Sequence, residues 1–135
     1  METDRGLLFV YGTLLHGFNN DFAKNLHKNS NFVSKATITG QLFAISWYPG
    51  AIYDPSTTDL VFGEVYEMQE IVEMLRMLDD YEEITEDESN SLYIRRIVPV
   101  LLENGTVVNC WTYLYNQSVT HLPRIESGDF RLFNA

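Results

Sequence analysis

The chain has 135 residues, of which 45% are hydrophobic and 21% charged, a balance that fits one globular domain over residues 1–135 and excludes disordered and fibrous classes. Nine Lys plus Arg against nineteen Asp plus Glu give a formal charge of −10, which repels phosphate backbones and anionic lipid, so no nucleic-acid partner is expected. Cys110 is the only cysteine, which excludes an internal disulfide and a cysteine-built zinc site; with no apolar run of membrane-spanning length and no basic or apolar leader at the start, a cytoplasmic protein without membrane contact is expected.

Leu7-Leu8-Phe9-Val10-Tyr11 is an apolar run ended by Gly12, which predicts a buried first strand entering a tight turn. Gly12 to Gly17 fits the opening of a phosphate-loop pattern, but Phe18 and Asn19 stand where Lys and Ser or Thr are required, so nucleotide binding is disfavoured. Successive N–H groups in such a turn suit a carboxylate, although a glycine after a strand is also simply a turn. Asn19 and Asn20 can cap a short helix beginning near Asp21. Phe32 to Ile45 and Leu60 to Met68 read as strands, with Trp47-Tyr48-Pro49-Gly50 as a turn between them.

Gln69 to Glu82 is the clearest helix, because Ile71, Leu75 and Leu78 fall on one stripe, and Glu82 extends that stripe by a further turn. A dense acidic run surrounds it, with Asp79, Asp80, Glu83, Glu86, Asp87 and Glu88; most of these are read as solvated surface, Asp80 and Glu83 lie off the stripe, and there is no calcium-loop spacing among them. Glu82 alone faces inward. Two readings of it stand, a desolvated general acid/base and a structural ion pair with Arg95 or Arg96. Leu92 to Leu102 and Thr106 to Tyr115 flank Asn104-Gly105, which predicts a long hairpin with a type I′ turn. The predicted class is α+β, a small mixed, mostly antiparallel barrel or sheet with two or so helices. His16, His27 and His121 show no metal-ligand spacing, Cys110 reads as a small core residue, and Tyr93 and Arg95 share a strand face without an assigned role.

Phe9-Val10-Tyr11-Gly12-Thr13-Leu14, Tyr48-Pro49-Gly50, Gly63-Glu64-Val65-Tyr66, Leu78-Asp79-Asp80-Tyr81-Glu82, Tyr93-Ile94-Arg95 and Ile125-Glu126-Ser127-Gly128-Asp129, taken in this order, resemble the γ-glutamylcyclotransferase-like family, which includes γ-glutamylamine cyclotransferases and AIG2-like proteins. The resemblance runs from Leu7 to Phe130. It implies a mixed α+β barrel, with Tyr11, Gly12, Thr13 and Leu14 binding the glutamyl α-carboxylate and Glu82 as catalytic acid/base. The implied reaction releases 5-oxoproline and a free amine from a small γ-glutamyl substrate, with no cofactor and no metal. The sequence departs from the family pattern at Glu83, where a glycine often stands, at Phe130 in place of tryptophan, and through an acidic insertion at Glu83 to Ser91. The alternative is a noncatalytic binding or interaction protein that keeps the same fold and pocket. Oligomeric state is not legible from the sequence.

Overall fold

The computed structural model describes residues 6–82, 84 and 87–133. In chain order the elements are β1 (Leu7–Val10), α1 (Asp21–Lys28), β2 (Ser30–Ala44), β3 (Pro49–Tyr53), β4 (Leu60–Met68), α2 (Ile71–Tyr81), β5 (Tyr93–Leu102), β6 (Val107–Tyr115) and β7 (Arg124–Ile125). Strands β2, β4, β1, β6 and β5 are neighbours in that order, and β5 pairs back onto β2 to close a five-stranded barrel. Only the β1–β6 pair is parallel. This is the expected mixed, mostly antiparallel barrel with two helices. No helix among the described residues is long and apolar enough to cross a membrane.

The long β2 belongs to two sheets. Its first part pairs with β4 through Ser30 to Thr39, and its last residues, from Gly40 to Ala44, pair with β3 and β7 outside the barrel. Such a change of partner within one strand has no signature in local composition.

β1 explains the geometry of everything that follows. It is buried on both faces, which is why its sequence is continuously apolar rather than alternating. Phe9 joins Ile38, Val61, Val65, Val100 and Cys110 inside the barrel. Leu8 and Val10 face outward into a second layer with Leu14, Leu26, Tyr66, Met74 and Leu78, under α1 and α2. Each such buried aliphatic or aromatic side chain contributes about 1.5 to 3 kcal/mol before chain entropy is subtracted. Cys110 is fully buried, as expected of a core residue.

Three boundaries differ from expectation. Pro49 and Gly50 open a strand instead of completing a turn; the turn is tighter, with the Ile45 N–H on the Tyr48 carbonyl at 3.0 Å. Proline is tolerated there because it is the first residue of β3, an edge strand that asks for few N–H donors. The β5–β6 hairpin does not turn on Asn104-Gly105 alone: the Gly105 N–H donates to the Leu102 carbonyl and the Leu102 N–H to the Thr106 carbonyl. The connection is therefore Glu103-Asn104-Gly105, with Gly105 at φ 90° in the bulge position that favours glycine. Finally, α2 begins at Ile71, later than the predicted Gln69, and ends at Tyr81 with Glu82 as its C-cap. Glu83 and Glu86 lie outside the described residues.

Candidate active site

A cavity of about 310 Å³ opens where β1 ends, walled by the loop after it, the start of β3 and the last turn of α2. Tyr11, Gly12, Thr13, Leu14 and Glu82 all line it, together with Trp47, Tyr48, Pro49, Tyr81, Leu92, Tyr93 and Tyr113. Residues read from two distant parts of the sequence thus meet in one space.

From Gly12 to Leu14 the loop's carbonyls are used and its N–H groups, among the described residues, are not. Leu15 N–H closes a turn on the Gly12 carbonyl at 3.0 Å. Asn20 caps α1 through its Oδ1, which accepts from Ala23 N–H at 2.7 Å, and its Nδ2 donates to the Thr13 carbonyl at 2.8 Å. His27 Nε2 lies 2.7 Å from the Leu14 carbonyl, so that nitrogen carries the proton. In a trans peptide the N–H points opposite to the preceding carbonyl, so the Leu14 N–H is aimed away from Asn20. Among the described residues no acceptor engages the N–H groups of Gly12, Thr13 or Leu14. Unspent donors of this kind in a loop bordering a cavity are groups from which an anion cradle can be made.

Behind the loop sits Glu64, only 8% exposed. Its carboxylate accepts from His16 N–H at 2.8 Å, the Tyr66 hydroxyl at 3.0 Å and Arg131 Nη2 at 2.9 Å, while Arg131 also donates to the His16 carbonyl. The charge is buried but satisfied, and it ties the loop to β4 and to the C-terminal segment.

Tyr11 serves the frame. Its hydroxyl donates to the Tyr113 carbonyl at 2.6 Å and accepts from Ala51 N–H at 3.1 Å, so its ring borders the cavity while its oxygen joins β1 to β6 and β3. Tyr93, whose role the sequence left open, points inward and donates to the Pro49 carbonyl at 2.5 Å.

Glu82 is half-buried at the end of α2, its own N–H on the Leu78 carbonyl at 2.8 Å. Arg95, one of the two partners that the ion-pair reading offered Glu82, is engaged by Asp79. Arg95 binds Asp79 in a fork, Nε to Oδ1 at 2.8 Å and Nη2 to Oδ2 at 3.1 Å, and its guanidinium lies 4.6 Å over the Trp111 ring. The Tyr113 hydroxyl donates to the same Asp79 Oδ1 at 2.6 Å. Hydrogen bonds to charged groups contribute about 1.5 to 3 kcal/mol, so Asp79→Ala is expected to lower stability by about that amount, read as a shift in urea midpoint at constant m.

Tyr81, beside Glu82, links the two halves of the site. Its hydroxyl is 2.6 Å from Thr13 Oγ1, and its ring stacks on Phe22 of α1 at 4.5 Å. The spacing between loop and glutamate is thereby fixed by a direct bond.

The buried phenols of Tyr11, Tyr93 and Tyr113 stay neutral. Burial first, then the Glu82 carboxylate, pushes Tyr11 far above its ordinary value. Burial followed by the neighbouring Tyr11 and Glu82 does the same for Tyr93, and burial with the Asp79 hydrogen bond does so for Tyr113. They are donors rather than bases at working pH. Folded values raised above the unfolded value, about 10, give a stability that is complete below pH 10 and declines as pH rises toward the folded values. Alkaline unfolding, followed by tyrosinate absorbance, is expected to be cooperative rather than a gradual titration of exposed phenols.

Residues 8–132 match the family model described as γ-glutamyl cyclotransferase, AIG2-like. The chain belongs to this family. A γ-L-glutamyl-butirosin B γ-glutamyl cyclotransferase of Niallia circulans is 36% identical over 82% of this chain and 67% of that protein. A Methanocaldococcus jannaschii protein provisionally named a γ-glutamylcyclotransferase is 32% identical over 92% of this chain and 94% of its own. The crystal structure of an AIG2-like protein from Mus musculus superposes with a TM-score of 0.70 at 30% identity, covering 90% of this chain and 86% of that one.

For a γ-glutamyl cyclotransferase family member, the sequence located the loop, Glu82 and the wall at Trp47, Tyr48 and Pro49. Tyr81 and Leu92 reach the cavity through tertiary packing that local sequence does not reveal. Asn20 was legible as a helix cap, yet its second bond to Thr13 was not. Glu64 had one available signal, a charged residue inside an otherwise apolar strand run.

Proposed function

We propose that this cavity cyclises a γ-glutamyl amine or peptide to 5-oxoproline and releases the free amine, with Glu82 as general acid/base. The observation that carries the reading is the meeting of Glu82 and the unspent N–H groups of Gly12, Thr13 and Leu14 around one cavity, with Arg95 committed to Asp79.

The N–H cradle takes the α-carboxylate of the glutamyl group. That anchorage folds the substrate so that its α-nitrogen and γ-carbonyl carbon come within roughly 3 to 3.5 Å. The α-ammonium cannot attack until it loses a proton, and Glu82 accepts it. The freed nitrogen bonds to the γ-carbon, the carbonyl π pair moves to oxygen, and on its return the original amide C–N bond breaks. Glu82 returns its proton to the departing nitrogen, and the second proton of the ring nitrogen, made acidic by its bond to the γ-carbon, passes by the same carboxylate to the released amine, which leaves as an ammonium ion. Atoms and charges balance without a co-reactant. Held orientation removes about 7 to 11 kcal/mol from the barrier of such an intramolecular attack, and acid/base assistance contributes a further 10²- to 10⁴-fold, about 2.7 to 5.4 kcal/mol.

The test is to follow 5-oxoproline and free amine from a panel of γ-glutamyl amines and peptides. Equimolar release of both is expected. Saturable binding of the panel with no product would replace this reading by a ligand-binding protein.

A further inference from the structure

Resting on the carboxylate cradle proposed above, we infer that Asn20 is a positioning residue for the reaction: its side-chain amide sets the plane of the Thr13–Leu14 peptide and so aims the Leu14 N–H at the substrate. Asn20 is not among the residues lining the cavity, so it acts there through the loop.

Asn20 does more than its place in the helix asks. An N-cap needs one acceptor oxygen, and Asn, Asp and Ser supply it about equally well. Here Oδ1 fills that role, accepting from the Ala23 N–H at 2.7 Å. Of the three residue types only asparagine carries an NH2 group beside that oxygen, and Nδ2 donates to the Thr13 carbonyl at 2.8 Å. The two bonds fix each other, since exchanging oxygen and nitrogen would set like groups face to face at both ends.

The Thr13 carbonyl and the Leu14 N–H belong to one peptide plane. The chain is held on either side of it: Thr13 Oγ1 lies 2.6 Å from the Tyr81 hydroxyl, and the Leu14 side chain is buried. With both ends held, opposed changes in Thr13 ψ and Leu14 φ still turn the plane between them, and the Asn20 bond opposes that turn. It also polarises the peptide it grips, which strengthens the N–H at the far side. Among the described residues no other side chain stands in this relation to an open donor of the loop. His27 holds the Leu14 carbonyl, but the N–H of that peptide belongs to Leu15 and closes the turn on Gly12. The Gly12 carbonyl, which shares a peptide with the Thr13 N–H, is held by the same Leu15 N–H, a backbone bond. The turn itself aims Thr13; Asn20 aims Leu14.

Three substitutions separate the cap from the aim. Asn20→Ser and Asn20→Asp keep a capping oxygen and lose the NH2 group, Asp also setting a carboxylate against the Thr13 carbonyl; Asn20→Ala loses both roles. The urea midpoint is expected to stay at the native value in the first two and to fall in the third. KM for the best γ-glutamyl amine of the panel should instead rise by about tenfold in Asn20→Ser and Asn20→Ala, the effect of weakening one hydrogen bond to a charged group, and further in Asn20→Asp, with kcat falling by less than KM rises. Binding is read without turnover by titrating L-glutamate and following the Leu14 amide by NMR. Its proton should move downfield in the native protein, and the dissociation constant should rise in the variants by the same factors as KM. A native KM in both Asn20→Ser and Asn20→Asp, or a KM that tracks the urea midpoint across the three, would overturn the inference, as would a Leu14 amide that glutamate leaves unmoved. If no γ-glutamyl compound yields 5-oxoproline while glutamate still moves that amide, it is the cyclisation that fails, and the dissociation constants decide the role of Asn20.

Discussion

Glu82→Gln is expected to lower the rate of 5-oxoproline formation by about 10²- to 10⁴-fold while the protein stays folded and still binds substrate. The substitution keeps the shape of the side chain and removes its ability to take a proton. The backbone N–H of residue 82 closes the last turn of α2 on the Leu78 carbonyl, a bond that the substitution leaves in place. Neither the helix nor its apolar contacts through Met74, Leu75 and Leu78 depend on the carboxylate. The loss should therefore appear in kcat, with KM nearly unchanged, since the proposed anchor of the α-carboxylate is the loop rather than residue 82. Unchanged turnover in a folded Glu82→Gln protein would remove Glu82 from the reaction. Tyr11 and Tyr93 do not offer a substitute base, because burial keeps them protonated.

Glu82 was visible in the sequence because helix phase is a local property: a carboxylate one turn beyond Leu78 on the apolar stripe has to face the body of the protein. The first strand and its loop were visible for a similar reason, an apolar run stopped by glycine. What phase did not reveal was which acidic residue takes Arg95. Asp79 and Glu82 are three apart on the same helix, and the choice between them depends on where β5 and β6 pass, which is set by the closure of the barrel. The Thr13–Tyr81 bond and the Tyr93–Pro49 bond likewise join residues separated by 68 and 44 positions. Pro49 was misread as a turn residue because turn and strand-edge prolines look alike until the pairing partner is known. The loop's function could not be separated from an ordinary turn by sequence physics; the use of its carbonyls by Leu15, Asn20 and His27, which leaves the N–H groups of Gly12, Thr13 and Leu14 open among the described residues, depends on where α1 packs.

Gly12→Val is the second large effect expected, and it tests the cradle rather than the base. A Cβ on Gly12 would lie 2.7 Å from Pro49 Cγ and 3.0 Å from Cδ, closer than carbon atoms pack. Pro49 is not free to retreat, since it begins β3 and its carbonyl is held by Tyr93. The loop must therefore move, carrying the N–H groups of Gly12, Thr13 and Leu14 with it. A shift near 1 Å at a positioning element can cost about 10²-fold in reaction rate, and overpacking costs about 1 to 3 kcal/mol in stability. Gly12→Val should accordingly raise KM for every γ-glutamyl substrate and lower kcat/KM by about 10²-fold, with Gly12→Ala between it and the native protein. Gly105→Ala supplies the contrast: nothing lies within 4 Å of its Cβ, but its φ of 90° strains any other residue, so stability falls by about 1 to 2 kcal/mol while kcat/KM is retained. If Gly12→Val kept its native KM despite the clash with Pro49, the carboxylate would have to be bound elsewhere, and the open N–H groups of the loop would belong to the turn alone.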